Sequence, residues 1–474
     1  MVFSSITFLF GFLGAFLIIY HAIPRKFIQS RNLFTLVVSY LFFSWGTPSL
    51  VPVLFFSTVA DYVLGLLLAK TSRKRLVLAI SVVINLGVLG YFKYMNFFVG
   101  EISHIFSLFG FHSLFWPQIA LPVGISFFTF QKLSYMIDIY KGVSAPQDDF
   151  VAFALFVALF PKLIAGPIVR YHDIADQLMT RDHSLQNMYE GLTRFCYGLG
   201  KKVLIADTIG TIADRVFQLS YNDLTLPIAW LGILCYTFQI YFDFDGYSDM
   251  AIGIGRMIGF SFPENFNLPY IATSIRDFWR RWHMSLTNWL RDYLYLPLGG
   301  SRLSTFRTYL NLWVVFALCG LWHGASWTFL VWGIYHGILL TAERTLPATL
   351  TRKIPELLLA MGTFVLILIG WVFFRSDSIL EAFSYLRAMF SFGTNFSTRN
   401  IGFLMNNKVW FFLGIAALLS FLPYFTKRFP SITEVVRRSK AVNYLHGIMA
   451  IIILIYSAIT LSGSTYNPFI YFRF

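Results

Sequence analysis

The sequence predicts an all-α, polytopic integral membrane protein, and three observations carry that reading. The 474 residues are 57% hydrophobic and only 13% charged, whereas a soluble domain carries roughly 25% charged residues. Apolar runs close to the roughly 20 residues needed to span a bilayer recur from end to end. The basic residues gather in the loops between those runs. A net charge of +14 therefore reads as lysines and arginines beside lipid head groups. The bilayer is the expected partner, and nucleic acid is not.

Taken in order, the run at 5–23 lacks a positive n-region and a cleavable small-residue site, so it is expected to stay as the first span. Further spans are expected at 32–46, 50–69 and 76–92. Arg25, Lys26 and Arg31 lie between the first two, the turn at Gly46–Ser49 carries no charge, and Lys70, Arg73, Lys74 and Arg75 follow the third. That alternation places the N-terminus outside and both basic loops in the cytoplasm. Pro122, Gly124, Lys132 and Asp138 interrupt 121–142, and Pro161, Lys162, Gly166 and Pro167 interrupt 156–173. Broken backbone persists at membrane depth only inside protein or beside a wet cavity, so both segments are candidate cavity walls or kinked spans. Helices are expected at 188–217 and 226–244, then spans at 308–323, 326–342, 358–374, 410–424 and 446–462. Arg344, Arg352 and Lys353 precede one late span, and Lys427, Arg428, Arg437, Arg438 and Lys440 precede the last, which puts the C-terminus outside too. No internal repeat is visible, against an inverted-repeat transporter. Residues 1–474 read as one membrane-embedded domain.

Residues 241–337 are its expected catalytic core. Carboxylates, arginines, tryptophans and three of the nine histidines crowd there, in apolar surroundings where a polar group needs a partner. Ser274 and Asp277 fit a capping box. Ile275, Phe278, Trp279, Trp282, Leu286, Trp289, Leu290 and Tyr293 then recur at helical spacing up to Pro297, which predicts one amphipathic helix. Arg276, Arg280, Thr287 and Arg291 fall on the opposite face, with His283 at the boundary. Such a helix can simply rest on anionic lipid; its basic face can also hold a phosphorylated donor near His283.

His323 lies about 20 Å along a span that begins near Tyr309. An imidazole at that depth is costly unless partnered or wet. Gly324, Ala325 and Ser326 are expected to open space beside the ring, so that a neutral His323 can act as general base. His336 is expected to be a satisfied core residue. The remaining histidines, His21, His104, His112, His172, His183 and His446, sit mostly at span ends or in loops.

Asp243, Asp245 and Asp249 surround Gly246, but the spacing lacks the glycine and glutamate of a calcium loop. They can orient a histidine or pair with the arginines, and the pattern does not choose. GIGRMIG is not a dinucleotide fingerprint, and Gly255 and Gly259 are expected to allow close helix packing. Cys196, Cys235 and Cys319 stand apart as small core residues, with no disulfide or metal spacing. HExxH, GxSxG and Walker motifs are absent, so no metal site or bound cofactor is expected.

These residues resemble the membrane-bound O-acyltransferase family. The likeness runs through MVFSS, GYFKYMNF, LPVGISFFTF, LIAGPIVR, KKVLIADT, QIYFDFDGYSDMAIG, ENFNLPYI, FWRRWHMSLTNWLRDYLYLPLGG, GLWHGASWTF and PFIYFRF, and is nearest to the branch that acetylates exported polysaccharides such as alginate and cellulose. The resemblance implies about 11–13 transmembrane helices in a ring, with re-entrant and amphipathic helices and a central cavity. It assigns the family's invariant histidine to His323 and its second histidine to His283. Asp245 stands where the family usually has Ser or Thr, and its charge is expected to favour a protonated imidazole nearby. The implied reaction moves an acetyl group from a cytoplasmic thioester, acetyl-CoA, to an exopolysaccharide outside a bacterial inner membrane. His323 and His283 are the expected catalytic residues; Arg276, Arg280, Arg291, Trp279, Asp243 and Asp249 are the expected substrate contacts. A periplasmic esterase-like protein and a polysaccharide synthesis and secretion complex are the implied partners. D-alanyl transfer to teichoic acid and a non-catalytic transporter or scaffold are the competing readings.

Overall fold

The computed structural model describes residues 2–111, 115–220, 223–347, 349, 353–391, 402, 405–426 and 440–463. All regular structure among them is helical. Six helices among the described residues are long and apolar enough to cross a membrane: Pro48–Lys70, Lys74–Leu108, Leu226–Met257, Glu356–Arg375, Asn407–Phe425 and Tyr444–Gly463. The protein is thus a multi-pass membrane protein. Arg352, Lys427, Arg428, Arg437 and Arg438, on which part of the expected topology rests, lie outside the described residues, as do His112 and the PFIYFRF ending.

The chain clusters into two compact units. The first comprises Met1–Leu192 and Ala251–Pro263. It holds α1 (Thr7–Ala22), α2 (Ile28–Ser44), α3 (Val51–Lys70), α4 (Lys74–Leu108), α5 (Ile125–Lys141), α6 (Phe150–Ala158) and α7 (Tyr171–Met179). Its buried charges are partnered. Lys132 lies 3.3 Å from Asp61, whose carboxylate also accepts from Ser81 Oγ at 2.6 Å and Asn85 Nδ2 at 2.8 Å. Lys162 donates to Gln131 Oε1 and to the Phe156 carbonyl. A Cβ on Gly124 would sit 2.2 Å from Leu163 O. The two interrupted segments therefore pack on each other, so the broken backbone lies against protein.

The second unit comprises Thr193–Met250 and Glu264–Phe474. Here the portion of α8 (Leu185–Gly200) from Thr193 onward passes through a π-helical turn at Lys201–Ala206 into α9 (Asp207–Phe217). The next helix, α10 (Leu226–Met257), runs well past the expected end at 244. Its three aspartates make the pattern look less apolar, but cations from the π-helical turn pair with them. Helices α8 and α10 touch backbone to backbone: a Cβ on Gly198 would lie 2.6 Å from Gly246 O. Gly255 and Gly259 serve otherwise than expected. Both lie in the first unit, where Gly255 clears the Phe262 ring and Gly259 turns the chain at φ +85°.

The rest of this unit is α11 (Ile275–Arg281), α12 (Met284–Leu290), α13 (Thr305–His323), α14 (Trp327–Thr345), α15 (Glu356–Arg375), α16 (Ile379–Met389), α17 (Asn407–Thr426) and α18 (Lys440–Gly463). Helices α13 and α14 form a hairpin in near-contact. Cβ atoms on Gly320 and Gly333 would each lie 2.2 Å from a carbonyl of the facing helix, Phe329 O and Phe316 O.

Candidate active site

Ser274 caps α11 as the sequence predicts, its Oγ accepting from Asp277 N at 3.1 Å. The single amphipathic helix does not form, however. Helix α11 stops at Arg281, Trp282 is extended (φ −98°, ψ 129°), and His283 is left-handed (φ 43°, ψ 53°) before α12 begins. A non-glycine residue there costs about 1–3 kcal/mol, which the loop at Asn265 offsets. Met284 N–H donates to Asn265 O at 2.8 Å, and Asn267 N–H donates to Arg281 O at 2.9 Å. Ser285 Oγ donates to Asn265 Oδ1 at 2.9 Å. The apolar period continues on both sides of the break, so the pattern alone reads as one helix.

The break turns His283 inward. It is fully buried, with Nδ1 3.0 Å from Asn265 Oδ1 and the Phe244 ring edge-on at 4.6 Å. Its ring centroid is 6.4 Å from that of His323. His323 ends α13 and keeps 6% of its surface exposed. Trp322, Trp332 and Phe374 enclose it at 4.9, 5.2 and 5.1 Å between centroids. The predicted pair of histidines is thus brought together by α12, α13, α14 and α15. Gly324 does not leave room for a ligand: a Cβ there would meet Phe329 at 2.2 Å, so its smallness seats an aromatic ring. His336 is a core residue that accepts a hydrogen bond from Trp279 Nε1 at 3.3 Å.

Arg276, Arg280 and Arg291 converge with Trp279, Thr287 and Arg344 on one cavity of about 380 Å³. Its apolar wall includes Leu290, Val315, Phe316 and Cys319. Cys319 stands one turn before His323 on α13, and Thr287 stands one turn after His283, donating its N–H to the His283 carbonyl at 3.0 Å. Both histidines are therefore one helical turn beyond the cavity wall. Arg291 pairs with neighbouring Asp292 at 2.7 Å, and Arg276 lies 3.9 Å from Glu343. Arg280 makes no ion pair among the described residues.

The aspartates of α10 take the ion-pair alternative, but with other partners than Arg276, Arg280 and Arg291. Asp243 lies 2.9 Å from Lys202, which also holds Asp207. Lys201 holds Asp245 at 2.7 Å and Asp249 at 2.6 Å. Arg194 bridges Asp249, at 2.8 Å, and Glu264, at 2.6 Å. Asp243 and Asp249, expected to contact substrate, are thus occupied by cations of this chain and do not border the cavity. A carboxylate on a membrane helix needs such a counter-charge. Asp245, expected to influence an imidazole, is held by Lys201 instead. The pattern also missed Asn265 and Arg344. Asn265 lies in ENFNLPYI, which carries only a resemblance, and Arg344 reads only as a loop charge.

The model of the membrane-bound O-acyltransferase family matches residues 144–373. A probable alginate O-acetylase of Pseudomonas aeruginosa is 48% identical over 83% of this chain and 76% of its own. One from Pseudomonas putida is 41% identical over 100% of both chains. A peptidoglycan O-acetyltransferase of Helicobacter pylori is 37% identical over 82% of this chain and 80% of its own. The family's stretch encloses Asn265, both histidines and every arginine of the cavity, and the likeness to an acetylating relative extends from end to end: the chain belongs to the membrane-bound O-acyltransferase family.

Proposed function

We propose that this O-acetyltransferase takes its acetyl group from acetyl-CoA at the arginine-lined cavity and passes it across a bacterial inner membrane to an exported polysaccharide such as alginate. The observation that carries the donor assignment is the cavity itself. Four arginines among the lining residues suit the phosphates of a coenzyme thioester, because arginine binds phosphate in paired, charge-assisted hydrogen bonds. The apolar wall suits the uncharged arm that follows, and it ends one turn from His323 and His283.

In the proposed reaction the acceptor hydroxyl attacks the acetyl carbonyl. The C–O ester bond forms as the C–S bond breaks, and the hydroxyl proton passes to His323 as general base and then to the departing thiolate. His283 orients or assists. The basic loops suit a cytoplasmic donor side with both termini outside. The relatives named for alginate and peptidoglycan support a saccharide acceptor. A periplasmic esterase-like partner within a polysaccharide-modifying complex would complete delivery, which leaves acceptor choice outside this chain.

Purified protein mixed with acetyl-labelled acetyl-CoA tests the donor. Release of free CoA with transfer of label to added acceptor is expected. Label that stays on CoA, while an acetyl-carrier protein thioester is consumed, would replace the donor.

A further inference from the structure

We infer that Asn265 is a positioning residue that fixes His283 as its Nδ1–H tautomer, leaving the lone pair on Nε2. The inference rests on the catalytic reading of His283 above, but its first test does not need activity. The Asn265 amide cannot be turned around. One of its terminal atoms faces the Ser285 backbone N–H at 3.3 Å and Ser285 Oγ at 2.9 Å, and the other donates to Ser248 Oγ at 3.0 Å. A backbone N–H only donates, so the atom beside it is the carbonyl oxygen. That same oxygen lies 3.0 Å from His283 Nδ1. Two acceptors do not hold each other at that distance, so Nδ1 carries the hydrogen. The ring has no exposed surface and packs on Phe244 and Trp322, where a charged imidazolium is costly. His283 is therefore a neutral imidazole with its basic nitrogen at Nε2, able to accept a proton there and unable to donate one.

The left-handed turn at His283 belongs to the same device. It lets Met284 N–H and the Ser285 side chain reach Asn265 while the ring folds back onto the same residue. One amide thus sets the chain path, the ring plane and the tautomer.

Nitrogen-15 spectra of histidine-labelled protein in bilayers, with the His283 signals identified by their loss in His283→Gln, read the tautomer directly. The Nδ1–H form is expected in the native chain and a mixture in Asn265→Ala; an Nε2–H form in the native chain overturns the inference. In the acetyl-transfer assay, Asn265→Ala is expected to lower turnover by at least about 10–100-fold, the loss seen when the orienting partner of a metal-bound imidazole is removed, with the donor KM unchanged. Asn265→Asp keeps the acceptor and adds charge, so it should recover turnover with its pH profile displaced upward, because a facing carboxylate favours imidazolium. Full turnover in Asn265→Ala, or an Asn265→Asp profile that superimposes on the native one, overturns the inference. A native protein that ignores acetyl-CoA defeats the donor assignment instead, and the nitrogen spectra still decide this question.

Discussion

Arg280→Ala separates donor binding from folding. Arg280 lines the cavity and is not engaged in an ion pair among the described residues, so its truncation leaves no buried carboxylate behind. A hydrogen bond to a charged group contributes about 1.5–3 kcal/mol, which at about 1.4 kcal/mol per tenfold is roughly 10–150-fold in the KM for acetyl-CoA. Turnover at saturating donor should hold, because an interaction kept equally in ground and transition states changes KM alone. The assay pairs acetyl-CoA with acetyl-pantetheine, which has the thioester arm but no phosphates. If Arg280 binds phosphate, the native protein prefers acetyl-CoA and Arg280→Ala erases most of that preference, which is a double-mutant cycle across the contact. Native KM should also rise with salt, as screening weakens an exposed pair. An Arg280→Ala protein with the same KM for both donors as the native chain would refute the phosphate assignment.

His323→Ala should lower acetyl transfer by about 10²–10⁴-fold at normal protein level, the usual effect of losing a general base; normal level with normal polymer acetylation would sink the mechanism. Gly320→Val places atoms where even a Cβ lies 2.2 Å from Phe329 O, so it should destabilise by at least about 1–3 kcal/mol in thermal unfolding. Gly362→Ala on α15, with nothing within 4 Å, should instead be neutral or stabilise by up to about 1 kcal/mol. Lys202→Met strands the buried carboxylates of Asp243 and Asp207 and should cost about 3–5 kcal/mol, read as a lower Tm and lower yield.

What was legible in the sequence follows from what the bilayer imposes locally. A span needs a run of apolar residues, so the helices at 356–375 and 407–426 begin and end within a few residues of the runs that predicted them, and the last, at 440–463, starts six residues early. Arg276, Arg280 and Arg291 do share one cavity, but Trp279, Leu286 and Leu290 from the opposite face of the expected helix line it too, because the break at Trp282–His283 divides that helix. What was not legible depends on partners distant in sequence. Lys201 meets Asp245 across 44 positions, and Asn265 meets His283 across 18. Periodicity does not report either. The break at Trp282–His283 was hidden for a related reason: the residues on both sides still bury the same kind of side chain. Gly324 misled because smallness serves a neighbouring ring as readily as a ligand.

Those distant contacts share one centre. Arg194 binds Asp249 and Glu264, and the residues beside them, Ser248 and Asn265, are themselves hydrogen-bonded. A single guanidinium thus ties the loop that orients His283 to α10, at the point where the loop makes its own contact. Ion pairs of this kind add little net stability, because desolvation offsets much of the attraction; what they supply is a fixed geometry. Arg194→Lys tests that distinction. Lysine keeps the charge but lacks the fork that spans two carboxylates, and Lys201 still neutralises Asp249. Turnover should therefore fall while Tm stays close to native. If turnover is unchanged, the loop holds itself and the charges of α10 serve only their own burial; if Tm and turnover fall together, the bridge is part of the fold rather than a support of the site.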